Sequence, residues 1–77
     1  MTAPAPARLD LRGTACPLNY VKTRLELDRM QAGEVLEVWL DLGEPERQVP
    51  RSLRMDGHAV DVLPAQADHV RLRVVRG

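Results

Sequence analysis

The sequence predicts an α/β fold, a two-layer sandwich of order βαβαββ, with two helices packed on one face of a four-stranded mixed sheet. Three observations predict it. Four segments alternate apolar and polar residues with the period of two that a half-buried strand requires. Two longer segments, punctuated by Pro and Gly, place apolar residues at helical spacing. The first two strands flank a helix, which asks for a parallel right-handed crossover, while a short turn joins the last two, which asks for an antiparallel hairpin.

Residues 1–7 (MTAPAPA) alternate Pro and Ala and offer nothing that packs, so a disordered tail is expected there and one domain over 8–77. Residues 8–12 (RLDLR) read as the first strand, with Leu9 and Leu11 inward, and Gly13 and Thr14 break it. Pro17 suits the first position of a helix, where its missing N–H costs nothing. That helix is expected over 17–31, with Gly33 as its stop signal. Tyr20, Thr23, Leu27 and Met30 form its longer apolar stripe and the expected buried face. Leu18, Val21 and Leu25 lie nearly opposite; they are either scattered exposed apolar side chains or a patch on which a partner docks.

Residues 34–41 read as the second strand, sending Leu36, Val38 and Leu40 one way and Val35, Glu37 and Trp39 the other. The second helix is expected over 45–56, with Val49 and Leu53 inward and Ser52 and Met55 beside them. Pro50 falls inside that span, so either Pro45 or Pro50 is expected to begin the helix. Gly57 ends it. Residues 58–63 alternate through Val60 and Val62 as a third strand, 64–68 form a turn, and 69–76 form a fourth strand with Val70, Leu72 and Val74 inward. The opposite face of the sheet then carries Trp39 among charges; it is either a solvated face laced with charge pairs or a dimer or partner surface, which Trp39 would anchor.

Composition narrows the function. With 77 residues, no Phe, and Trp39 and Tyr20 as the only aromatics, the core must rest on Leu and Val. Lys plus Arg equals Asp plus Glu at 11 each, so the net charge is zero. That opposes direct nucleic-acid binding, which needs a basic excess, although Arg71, Arg73 and Arg76 cluster locally. No apolar run approaches the ~20 residues that span a bilayer, and the start lacks the basic and apolar segments of a signal peptide. A cytoplasmic monomer is expected, without membrane association, metal or cofactor. The single cysteine rules out an intramolecular disulfide and a Cys-rich metal site.

That cysteine sits in Gly13-Thr14-Ala15-Cys16-Pro17, where a strand meets a helix. The first turn of a helix carries unsatisfied N–H groups and partial positive charge, which stabilise a thiolate. Pro17 has no N–H, so the backbone donors of Leu18 and Asn19 are expected to supply the effect. A buried structural cysteine remains the alternative on the residues alone. His58 and His69 are either strand-edge residues or approach Cys16 in space. A Cys–His hydrolase has no room for a substrate cleft at this size. Arg12 and Lys22 are candidate local cations, or else solvated charges.

The run Leu9-Asp10-Leu11-Arg12-Gly13-Thr14-Ala15-Cys16-Pro17 resembles the opening of the TusA-like (SirA-like) sulfurtransferase family, whose pattern is LDxRGxxCPxP. The resemblance continues through Lys22-Thr23, Gly33 to Val38, Val49-Pro50 and Gly57-His58. It implies a fold similar to the C-terminal domain of bacterial translation initiation factor three. It also implies that Cys16 accepts sulfur as a persulfide from a cysteine desulfurase or rhodanese-like donor and passes it to an acceptor protein. Such relays serve tRNA thiolation, molybdenum-cofactor assembly or sulfur metabolism. Gly13 and Pro17 match the pattern, but Asn19 stands where the family has its second proline, restoring an N–H and adding an amide near Cys16.

Three other readings compete. A ubiquitin-like sulfur carrier would end in a flexible Gly-Gly, whereas only Gly77 is present and the residues before it read as a strand. A non-catalytic protein-binding or regulatory module of the same fold would work through Trp39. An RNA binder rests on fold analogy alone, and charge and aromatic content oppose it.

Overall fold

A computed structural model describes residues 7–77. The elements run β1 (Ala7–Asp10), α1 (Leu18–Asp28), β2 (Val35–Asp41), α2 (Glu44–Met55), β3 (Ala59–Val62) and β4 (His69–Val75). The sheet order is β1-β2-β4-β3. β1 lies parallel to β2, with Leu9 opposite Val38. β4 runs antiparallel to both β2 and β3, with Leu72 opposite Val38 on one side and Val62 on the other. The architecture is the α/β two-layer sandwich that the alternation predicts.

Period-two patterning makes one side of the sheet apolar. Leu36, Val38 and Leu40 of β2 and Val70, Leu72 and Val74 of β4 are buried, while their neighbours in the strands are half-buried or exposed. Leu27 of α1 and Val49 and Leu53 of α2 close over them. A fully buried Leu contributes about 1.5–3 kcal/mol relative to an exposed one, so the five Leu residues with no exposed surface dominate the core.

Several boundaries differ from the sequence expectation. Ala7 belongs to β1 rather than to the tail; the remainder of the expected tail lies outside the described residues. α1 begins one residue later and ends earlier, at Asp28, because Arg29 and Met30 bond back to Glu26 and Leu27 in tighter i→i−3 turns. Arg76 Nε donates to the Leu27 carbonyl at 2.8 Å and satisfies the end of that helix from a distant part of the chain.

α2 begins at Glu44, so neither proline is its first residue. Glu46 reaches back to the Gly43 N–H at 2.8 Å and fixes the start there. Pro50 is buried inside the helix. Met55 points outward, two residues and about 200° around the helix from the inward Leu53. Gly57, at φ +95°, closes the helix: its N–H bonds to Arg54 and that of His58 to Leu53, the paired reverse bonds of a left-handed C-terminal cap. Val60 is buried, but Val62, the last residue of the edge strand β3, is exposed.

Candidate functional site

The segment that carries the cysteine is built by a turn. Thr14 N–H bonds to the Leu11 carbonyl at 3.0 Å, and Gly13, the third residue of this turn, has φ +80°. That left-handed conformation favours glycine. Gly13 N–H also donates to Asp41 Oδ2 at 2.8 Å, tying the turn to the end of β2. Cys16 follows, exposed, and is joined to Pro17 by a cis peptide bond.

Pro17 is the N-cap of α1, at φ −91° and ψ 8°, rather than its first helical residue, and Cys16 therefore precedes the cap. This corrects the expected source of hydrogen bonds. The Asn19 backbone N–H turns to the Ala15 carbonyl at 3.2 Å, and that of Val21 to the Pro17 carbonyl at 3.0 Å. What meets the sulfur is the Asn19 side chain, whose Nδ2 donates to Cys16 Sγ at 3.2 Å. Asn19 has no exposed surface. Its place could have been found in the sequence, since Asn19, Thr23 and Leu27 recur at i, i+4 and i+8 on the buried face.

Cys16 stands beside a cleft of about 160 Å³ between the two helices. Pro17, Asn19 and Tyr20 line one wall; Glu44, Gln48, Val49 and Ser52 of α2 line the other. The Tyr20 hydroxyl donates to Asp56 Oδ2 in a hydrogen bond between α1 and the end of α2. That bond, assisted by burial and by the Asp56 charge, raises the Tyr20 pKa above its ordinary value. Tyr20 therefore keeps its proton and acts as a tether between the walls.

The remaining predicted site residues lie elsewhere. Arg12 does not border the cleft: its Nε and Nη2 bind Asp10 at 3.0 and 2.8 Å, and its guanidinium lies 4.8 Å from the Trp39 ring centroid. This fork, with the Arg12 backbone N–H, lowers the Asp10 pKa to about 2. Lys22 lines a separate groove with Leu9, Leu25, Glu26, Asp28 and Arg29. Trp39 occupies the opposite sheet face and stacks on His69, ring centroids 5.3 Å apart. His58 Nδ1 accepts the Gly77 N–H at 3.0 Å, so neither histidine borders the cleft. Leu18, Val21 and Leu25 are exposed, as the two-stripe pattern predicts.

Arg71, Arg73 and Arg76 do not act as one basic patch. Arg71 faces Glu37, and Arg76 turns to the end of α1. Among the described residues no three His, Cys, Asp or Glu side chains gather as a metal-binding group, and no helix is long and apolar enough to cross a membrane.

The start of α1 thus brings together an exposed thiol, one buried amide directed at its sulfur and the interhelical cleft. The family model for sulfurtransferase TusA matches residues 7–76, and the chain belongs to that family. Over 52 residues it is 44% identical to a protein of Archaeoglobus fulgidus and 40% identical to one of Thermotoga maritima, both provisionally named sulfur carrier proteins. Each match covers 68% of this chain but only 59% and 66%, respectively, of the two relatives. The fold is similar to that of a crystallised SirA-like protein from Desulfitobacterium hafniense, with a TM-score of 0.81 at 19% identity over 92% of this chain and 97% of that one.

Proposed function

We propose that the chain is a sulfur-relay carrier that accepts sulfur as a persulfide on Cys16 and passes it to an acceptor protein. The observation that carries this reading is the exposed Cys16 thiol beside an interhelical cleft, with a hydrogen-bond donor aimed at its sulfur. The Cys16 thiolate attacks the outer sulfur of a donor persulfide, R–S–SH. The donor S–S bond breaks, R–S⁻ leaves, and Cys16–S–SH forms with no net oxidation. An acceptor thiolate, R′–S⁻, then takes the outer sulfur, and Cys16 departs as thiolate. Neither step needs a base beside the cysteine once it is ionised.

A cysteine desulfurase or a rhodanese-like protein is the proposed donor. Thiolation of tRNA, molybdenum-cofactor assembly and sulfur metabolism are the pathways such a relay would feed. A cytoplasmic setting fits a lone thiol that must stay reduced. The exposed Leu18, Val21 and Leu25, which begin two residues beyond Cys16 in the chain, are the proposed docking surface of the donor.

Intact-mass measurement tests the reading. Incubation with a cysteine desulfurase and cysteine is expected to add one sulfur atom to the protein and none to Cys16→Ser. A Leu18→Ser/Leu25→Ser variant is expected to load normally from inorganic polysulfide but slowly from the protein donor. No sulfur uptake by the wild-type protein from either source would overturn the carrier reading. A partner interaction lost in Trp39→Ala but kept in Cys16→Ser would favour the non-catalytic module instead.

A further inference from the structure

We infer that Asn19 is a second catalytic residue, whose amide stabilises the Cys16 thiolate both when it attacks donor sulfur and when it leaves as sulfur is handed on. The transfer steps rest on the carrier reading; the hydrogen bond to the thiolate does not.

The orientation of the amide follows from its partners. Asn19 Oδ1 accepts the Tyr20 N–H at 2.7 Å. Turning the amide over would set the Nδ2 donor against the Tyr20 N–H donor and lose that bond, so the donor end faces Cys16. The backbone is held as well, since the Asn19 carbonyl accepts Thr23 Oγ1 at 2.8 Å. The side chain has no exposed surface, so water does not compete for the amide, and it is fixed before any sulfur arrives. A donor fixed in this way interacts more strongly with a charged sulfur than with a neutral one.

One hydrogen bond then serves both directions. In loading, Sγ is the attacking nucleophile and must be ionised. In discharge, Sγ is the leaving group of the persulfide S–S bond, and a stabilised leaving thiolate departs faster. The donor and acceptor proteins need not supply this stabilisation, because it travels with the carrier.

Two variants and one wild-type measurement test the inference in the full chain. Asn19→Asp keeps an acceptor for the Tyr20 N–H but sets a carboxylate oxygen against the sulfur. Asn19→Leu keeps the volume without polar atoms. Both are expected to slow iodoacetamide alkylation of Cys16 at pH 7, sulfur loading from inorganic polysulfide, and discharge to glutathione, each by about tenfold, the order expected for losing a hydrogen bond to a charged group. The urea midpoint of each variant is measured beside its rates, and Asn19→Asp is expected to lower it, because a carboxylate then takes a buried place. In the wild-type protein the Asn19 Hδ2 resonances are expected to move with Cys16 ionisation and to stay fixed in Cys16→Ser. Rates within twofold of wild type in folded variants, or Hδ2 resonances that ignore the Cys16 titration, would overturn the inference. Absence of sulfur uptake by the wild-type protein would remove the carrier reading instead, while alkylation and the amide resonances still decide the role of Asn19.

Discussion

Replacing Gly13 with Ala probes the turn that delivers Cys16. Gly13 has φ +80°, and a Cβ added there meets no atom within 4 Å, so the penalty is purely backbone. An L-residue in the left-handed region costs about 1–2 kcal/mol. A stiffer unfolded chain returns about 0.4–1 kcal/mol. The net loss is about 1 kcal/mol, which for a domain of this size lowers the melting temperature by about 4–8 °C. The bond from residue 13 N–H to Asp41 survives, because alanine keeps its N–H. Urea unfolding followed by the fluorescence of Trp39, the single tryptophan, measures the loss. A Gly13→Ala protein as stable as wild type, with an unchanged urea slope, would refute the assignment of a left-handed turn before the cysteine.

Pro50→Ala is expected to stabilise the protein slightly. Relief of an interior helical proline is worth about 3 kcal/mol; two lost ring methylenes cost about 0.8 kcal/mol each; and the freer unfolded chain costs about 0.4–1 kcal/mol. The balance is a gain of about 0.5–1 kcal/mol, and a lowered urea midpoint would show that the buried ring packs better than this reckoning allows. Acid titration tests the Asp10–Arg12 fork. Because the folded Asp10 pKa, about 2, lies below the ordinary 3.8, its contribution to stability is present above pH 3.8 and disappears as pH falls through about 2. Asp68 is also lowered, by its His69 hydrogen bond, so the Asp10 carboxyl resonance is the appropriate readout. A midpoint near 3.8 would mean that Arg12 does not hold Asp10 in solution.

The strand interiors were the most legible part of the sequence, because a sheet face must repeat every second residue, and Leu36, Val38, Leu40, Val70, Leu72 and Val74 do so. The junction at Cys16 was legible too, through Gly13 and Pro17. Element ends were less so. Pro50 marked a helix start by local rule, but Glu46 on the Gly43 N–H sets the start earlier and burial of the ring offsets part of the cost of the missing bond. Val62 follows the strand alternation but ends β3, one alternation beyond Val60, where the burial of that strand stops. Asn19 was legible as an amide near Cys16, and its spacing with Thr23 and Leu27 marks the buried face; the partners that satisfy its polar atoms, Tyr20 and Cys16, were not legible. Arg12 and Lys22 are close to Cys16 along the chain and yet border other surfaces, a separation made by the third dimension alone.

The placement of β4 between β2 and β3 has a consequence for how the chain assembles. Val35 pairs with Val75, and Asp41 with His69, so β2 waits for residues far downstream before its second neighbour exists. The end of α1 waits in part too: Met30 bonds to the Leu27 carbonyl locally, but the second donor to that carbonyl is Arg76. During synthesis, β1, α1, β2 and α2 emerge with the sheet lacking its central strand and the apolar faces uncovered. Such non-local pairing bears its closure entropy before it gains contacts, which slows folding. The cysteine turn, though built near the start of the chain, hangs on Asp41, and the strand that carries Asp41 gains its second neighbour only when β4 slots in beside it.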